Sequence, residues 1–267
     1  MPTIDSGRQR ARLTHEHLDV VTHLLHGQPV PAGRADAERE LTDAGLLRSG
    51  APVEFLAELV AQLTQAEISI DVEISGRDGV STHGALLTST LCWTVQGWPG
   101  TEEKEYALLD PRLLPTWLAA TLGLSTEGSS ESEPEVDSTV GALDAALATR
   151  GALEARLDAG GSLLDGAAET LGAIGETPGI PPRLAELLTF ERRAWRVTCS
   201  WRQGDQLAVR AVAVVDAGPQ GLWQRALPAE PVGPEPLPPT TALRFRRLSP
   251  SETFRAVGEL VPRSTER

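Results

Sequence analysis

The most regular pattern in the chain is an alternation of apolar and polar residues within 194–227. Trp195, Val197, Cys199 and Trp201 alternate with polar or charged neighbours, which predicts a strand with one buried and one solvent-facing side. Two Gly-containing turns follow, and each leads into a further apolar strand. The segment is therefore predicted to be a three-stranded antiparallel meander.

A second alternating run, 68–75, predicts another half-buried strand, followed by strand segments at about 81–96 and 104–109. A last strand is predicted at 242–247. Apolar residues at helical spacing predict helices at about 15–26, 35–47, 52–65, 111–122, 140–157, 163–174, 182–188 and 250–260. Helices and antiparallel strands in this order indicate the α+β class.

Two stretches of the chain, 57–122 and 185–260, repeat the same order of elements. Each begins with an Ala-Glu-Leu helix, continues through three strands and closes with a helix that opens on a capping residue and a proline: Asp110-Pro111 and Ser249-Pro250. We therefore expect quasi-two-fold duplicated units that share a central antiparallel sheet with helices packed on it.

Composition divides the chain into an N-terminal α+β unit (13–122), an acidic Ser-rich linker (123–138) and a C-terminal α+β unit (139–262), the two units packing as one domain. The linker carries five acidic side chains and no basic one, so we expect it to be mobile. The Pro-rich stretch 227–241 is predicted to be an extended connector; docking to a proline-reading module is the alternative.

The formal net charge is −13, and the chain therefore lacks the excess of basic residues that is typical of a nucleic-acid-binding protein. No apolar run approaches the roughly 18 residues of a membrane helix. The first 17 residues contain no apolar segment of the kind that a secretion signal requires. These features predict a cytoplasmic protein without membrane insertion.

The two cysteines, Cys92 and Cys199, both fall in predicted strands and are predicted to be buried thiols. A hydrolase that uses either thiol with a histidine is the alternative interpretation, although neither cysteine has the helix-start context that lowers a thiol pKa. The sequence lacks phosphate-binding, dinucleotide-binding and GxSxG motifs, so we predict no cofactor and no enzymatic activity.

One face of the first predicted helix carries His15, Asp19, His23 and His26 at helical spacing. Imidazole and carboxylate groups one turn apart can share a metal ion. Without an HExxH-type pattern, a solvated helix face is the preferred interpretation, and we predict no metal site.

Several segments of the chain together resemble the EspG family, the type VII (ESX) secretion-associated chaperones of actinobacteria. The resemblance covers about 13–261 and is carried by the following segments: GIPPRLAELL at 179–188, ERRAWRVTCSWRQGD at 191–205, VVDAGPQGLW at 214–223, and the first-half order LTDAGLL, FLAELVAQL and ISIDVEI. It implies a quasi-symmetric α+β fold, no cofactor, and a chaperone that binds the apolar tip of a helical PE–PPE-type export substrate. A small WXG100-like helical substrate is the fallback partner.

The resemblance implies that the partner contacts a loop and exposed parts of the sheet. We predict the contact residues to be Gly97, Trp98, Pro99, Gly100, Leu222 and Trp223, because tryptophans at or beside turns supply contact area. The tryptophans in regular strands, Trp93, Trp195 and Trp201, are predicted to be core. An adaptor or immunity-type binding protein would have the same sequence features.

Overall fold

Eleven strands form one antiparallel sheet in the described part of the chain, which confirms the α+β class and the shared sheet. The computed structural model describes residues 1–76, 79–124, 135–157, 163–226 and 237–262. For residues 153–157 and 163–168 it describes the backbone alone. The sheet has the strand order β1-β2-β8-β7-β6-β5-β10-β11-β12-β13-β9, and β3 and β4 pair separately. The strands are β1 Thr3–Asp5, β2 Arg10–Leu13, β3 Leu47–Arg48, β4 Ala51–Pro52, β5 Ile68–Gly76, β6 Gly79–Leu87, β7 Cys92–Gly97, β8 Lys104–Leu109, β9 Val136–Thr139, β10 Arg193–Gln203, β11 Gln206–Asp216, β12 Leu222–Arg225 and β13 Ala242–Leu248.

Eight α-helices of the described residues pack on the two faces of this sheet. They are α1 His15–Leu25, α2 Ala35–Asp43, α3 Glu54–Thr64, α4 Leu114–Thr121, α5 Val140–Leu157, α6 Leu163–Glu176, α7 Pro182–Thr189 and α8 Pro250–Gly258. None of these described helices combines the length and the apolarity that crossing a bilayer requires.

The centre of the sheet is the antiparallel pair β5–β10, in which Val72 lies opposite Val197. From this pair the strands continue outwards in the same order, β6-β7-β8 on one side and β11-β12-β13 on the other. A pseudo-two-fold axis between the two valines therefore relates the halves. Trp93 and Trp223 fall at corresponding positions, since they pair with the corresponding Leu86 and Val215.

Both halves also close in the same way, as the duplication predicted. After β8, the Asp110 side chain accepts a hydrogen bond from the Arg112 amide at 2.9 Å. After β13, the Ser249 hydroxyl accepts one from the Glu252 amide at 3.2 Å. Each capping residue is followed by a proline, whose fixed φ suits the first helical position.

One face of the sheet, here called the covered face, packs against α4 and α8. The alternating residues of β5 and β10 supply its core together with Leu114, Leu118 and Leu122, which are spaced four residues apart on one side of α4 and just beyond its end. Burial of one such leucine stabilises the fold by about 1.5–3 kcal/mol. The predicted core tryptophans Trp195 and Trp201 are buried here, with 3% and 5% of their surface exposed.

On the opposite face, the described helices cover the two ends of the sheet. Helices α1–α3 pack over β7, β8 and β2, around Trp93 and Tyr106. Helices α5–α7 pack over β12, β13 and β9, around Trp223 and Phe245. The four central strands lie between these two helical bundles.

The structure differs from the sequence predictions mainly in short strands. Strands β1, β2 and β9 were not predicted, because their three or four residues carry too little apolar pattern to reveal pairing with distant strands. The predicted segment 81–96 is two strands. The turn between them is closed by a hydrogen bond that the Thr88 amide donates to the Leu91 carbonyl at 3.0 Å. The last residues of the expected mobile linker form β9, in which Val136 is buried. Residues 125–134 of that linker and 227–236 of the connector lie outside the described residues.

Candidate partner-binding surface

The strands β6, β5, β10 and β11 expose one side between the two helical bundles, here called the open face. Strand alternation determines its composition, since the buried residues of the same strands point to the covered face. Its side chains, strand by strand, are Val80, Thr82, Gly84 and Leu86; Ser69, Asp71, Glu73 and Ser75; Ala194, Arg196, Thr198, Ser200 and Arg202; and Leu207, Val209, Ala211, Ala213 and Val215.

Exposed apolar side chains mark both ends of the open face. Val80 is 55% exposed and Val209 is 54% exposed, and the pseudo-two-fold axis relates these two positions. Leu207, beside Val209 at the tip of the β10–β11 hairpin, is 71% exposed. Exposed branched residues in strands are candidates for contact with another molecule, because their burial would be favourable.

The middle of the open face is polar and carries one unbalanced acid. The Arg196 guanidinium lies 3.3 Å from the Glu73 carboxylate, so these two charges compensate each other. The neighbouring Asp71 is exposed, and the one hydrogen bond described for its side chain comes from Ser69 at 3.4 Å. A basic group on a partner would complement this position.

Each helical bundle forms a pocket where it meets the open face. The N-terminal pocket, of about 460 Å³, is lined by Leu18, Leu63, Leu86, Val95, Lys104 and Tyr106 among others. The C-terminal pocket, of about 320 Å³, is lined by Leu143, Leu147, Leu188, Val215, Arg225 and Phe245 among others. Phe245 corresponds to Tyr106 in the duplicated arrangement, so the two pockets are related by the same axis.

The predicted contact loop 97–100 is built at the end of β7. A Cβ atom on Gly97 would lie 2.6 Å from the Thr82 carbonyl oxygen, so only glycine fits there, and Gly100 has a φ of +73°. Pro99 and Gly100 are exposed, whereas Gly97 is buried.

Trp98 is half-buried and packs against another side chain. The Arg12 guanidinium lies 4.8 Å from its ring centroid, a cation–π contact. Arg12 also lies 3.6 Å from Glu105, which belongs to the covered side of the sheet. Trp98 therefore lies beyond the end of β7 on the covered side rather than on the open face, and part of its indole remains accessible.

The two other predicted contact residues, Leu222 and Trp223, both pack against core residues, but to different extents. Leu222 is half-buried and packs against the covered-face core. Trp223 is fully buried beneath the C-terminal bundle, and its Nε1 donates a hydrogen bond to the Gln220 carbonyl at 2.9 Å. Because successive strand residues point to opposite faces, Leu222 lies on the covered side and stays partly accessible, whereas Trp223 lies under the C-terminal bundle and offers no free surface.

The acidic residues beside the loop are largely engaged within the chain. The amino group of Met1 donates to Glu103 at 2.7 Å, which lowers the pKa of that carboxyl. Arg10 donates to Glu105 at 3.1 Å. Glu103 and Glu105 consequently attract a basic partner less than two free carboxylates would.

The cysteines offer little to a thiol-dependent hydrolase. Cys92 and Cys199 are both buried in the covered-face core. Burial raises the pKa of Cys92 to about 11, which is the opposite of what a thiolate nucleophile requires.

The histidine-rich face of α1 makes contacts within its own bundle. Asp19 accepts hydrogen bonds from Arg34 at 3.1 and 3.2 Å. The imidazole rings of His23 and His26 each form a hydrogen bond, at 2.8 Å, with the backbone carbonyl one turn earlier in the helix. Within the described residues, no group of three or more potential ligands is placed to hold a metal ion.

Sequence reasoning did not single out Asp71, Val80, Arg196, Val209 or Arg225. The alternation in 68–75 and 195–202 did identify the polar faces of both strands. That pattern cannot distinguish a solvated sheet from a binding surface, because both need only polar or small residues on one side.

No protein-family model matches the sequence, and no curated protein matches it significantly. Among solved structures, the chain is similar to the Mycobacterium tuberculosis type VII secretion system chaperone EspG5, determined in complex with the PE25–PPE41 dimer. The TM-score is 0.52 at 10% sequence identity, and the match covers 95% of this chain and 97% of the other. The chain therefore has an EspG-like fold.

Proposed function

We propose that this protein is a non-enzymatic chaperone that binds a helical type VII secretion substrate in the cytoplasm and keeps it soluble for export. The observation that carries this proposal is an EspG-like fold along nearly the whole chain, combined with a sheet face left open between two bundles. The client would be a PE–PPE-like heterodimer or a WXG100-like protein.

The dimensions of the open face suit a helical client. Four strands spaced about 4.8 Å apart give a floor about 14 Å wide. The nine residues of β5 make it about 30 Å long. An α-helix is about 10–12 Å across, so one helix or the tip of a helical hairpin fits between the bundles.

The composition of the floor favours the same kind of client. Gly84, Ala211, Ala213 and Ser69 are small, which allows a helix to approach the strands closely, and a Cβ atom on Gly84 would lie 2.8 Å from the Ile70 carbonyl oxygen. The exposed ends at Val80 and Val209 supply apolar contact. The loop 97–100 is proposed as a further contact at the rim, through Pro99, Gly100 and the accessible part of Trp98.

Co-expression with candidate clients tests this function. The tagged protein would be produced with a PE–PPE-type pair and, separately, a WXG100-type pair from the same genome, and complex formation would be measured by size-exclusion chromatography. We expect one of them to co-elute. If neither co-elutes while another protein is retained stoichiometrically, an adaptor role replaces the chaperone role.

A matched set of variants tests where the client binds. The double change Val80→Asp and Val209→Asp places two charges on the open face and should abolish co-elution. Leu113→Asp is the control, because Leu113 is similarly exposed, at 52%, but lies in the segment that leads into α4 on the other side of the sheet. If both variants lost co-elution with the client to the same extent, the open face would not be the binding surface.

A further inference from the structure

Arg225, at the end of β12, is a partly buried cation for which the described residues supply no partner. It lines the C-terminal pocket, and its Nε atom is buried without a hydrogen bond. No ion pair or side-chain hydrogen bond is described for it with any other described residue. A guanidinium held partly out of water without an anion is unfavourable, so an unmatched arginine here requires an explanation.

The acidic residues that line the same pocket are already engaged. Glu191 accepts a hydrogen bond from Arg150 at 2.5 Å, and Glu73 pairs with Arg196 at 3.3 Å. The rest of the lining is mainly apolar and includes Leu147, which is 43% exposed. Among the described residues, the charge of Arg225 in this mainly apolar pocket is therefore not compensated.

The duplicated half shows that the fold does not need an arginine at this position. Arg225 pairs with Ala213, and Val95 pairs with Gly84, so Val95 is its counterpart about the pseudo-two-fold axis. Val95 packs against the core of the N-terminal bundle. An apolar residue satisfies the architecture there, so the fold itself does not call for a charge at the position of Arg225.

We propose that Arg225 is the specificity residue of the C-terminal pocket and binds a carboxylate on an apolar segment of the partner. This rests on the proposed function, since the segment belongs to the client. The guanidinium would form a charge-assisted, two-pronged hydrogen bond with an Asp or Glu side chain. Apolar residues flanking that acid would cover Leu143, Leu147 and Phe245.

A titration with small molecules tests the proposal without the client. Hexanoate and hexanamide have the same apolar chain, but only hexanoate carries a charge. The ¹⁵Nε–¹H resonances of arginine in the intact protein would be followed by NMR up to millimolar concentration. We expect hexanoate to shift one resonance, which is absent in Arg225→Met, and hexanamide to leave it unchanged. Equal binding of both molecules, no binding of hexanoate, or unchanged binding by Arg225→Met would overturn the proposal.

Thermal unfolding supplies the second measurement. Removing an unmatched charge should stabilise the protein, so Arg225→Met is expected to raise the melting temperature by about 2–4 °C. Arg196→Met is the matched control and should give no rise, because it removes a paired arginine. A lower melting temperature for Arg225→Met would assign the residue a structural role and overturn the proposal. Failure of co-elution with export substrates would instead contradict only the chaperone function.

Discussion

The tryptophans show how strand position decides the role of a single side chain. Trp93 and Trp223 occupy corresponding positions in the two halves, and each is buried under its own helical bundle. Trp98 lies beyond the end of β7, where alternation no longer directs it into a core, and it rests against Arg12. The same residue type therefore supplies packing at two positions and accessible surface at the third.

Alanine substitution should separate these two roles. Trp223→Ala removes a fully buried indole and is expected to lower the free energy of unfolding by about 3–5 kcal/mol. Trp98→Ala loses a partly exposed cation–π contact and should lower it by about 1 kcal/mol or less. Urea unfolding of both variants provides the measurement, and similar losses would mean that the surroundings of Trp98 are misassigned.

At the scale of elements, the sequence predicted best what depends on local pattern. The strands around Ile68 and Trp195, the closing helices and their caps at Asp110 and Ser249 follow from alternation, helical spacing and capping chemistry. Strand β9 depends on pairing with the distant β13, and the open face depends on where helices are absent. Neither is encoded in neighbouring residues, so local reasoning could not find them.

The close approach of β5 and β6 gives a prediction at this scale. Because a Cβ atom on Gly84 would lie 2.8 Å from the Ile70 carbonyl oxygen, Gly84→Ala must displace a central strand. We expect it to destabilise the protein by about 1–3 kcal/mol. Gly172→Ala, in an exposed part of α6 with open space around the Cβ position, is the control and should stabilise by about 0.5–1 kcal/mol. Thermal unfolding of the two variants provides the measurement. If both variants changed the melting temperature equally, the tight contact between β5 and β6 would be contradicted.

At the scale of the whole molecule, the duplication builds one large sheet with two unequal faces. Helices α4 and α8 meet over the centre of one face and bury it. The two helical bundles stand apart on the other face, and none of the described helices covers the four strands between them. Two related halves joined through β5 and β10 thus create a cleft that either half alone would lack, and the chaperone proposal places the client there.

Carboxylate footprinting with and without a client tests this account most directly. A carbodiimide and glycine ethyl ester would modify exposed carboxylates, and mass spectrometry would compare Asp71, in the middle of the open face, with Asp43, exposed at the end of α2. The account predicts that a bound export substrate strongly reduces modification of Asp71 and leaves Asp43 unchanged. A stable complex in which Asp71 is modified as readily as in the free protein would contradict it.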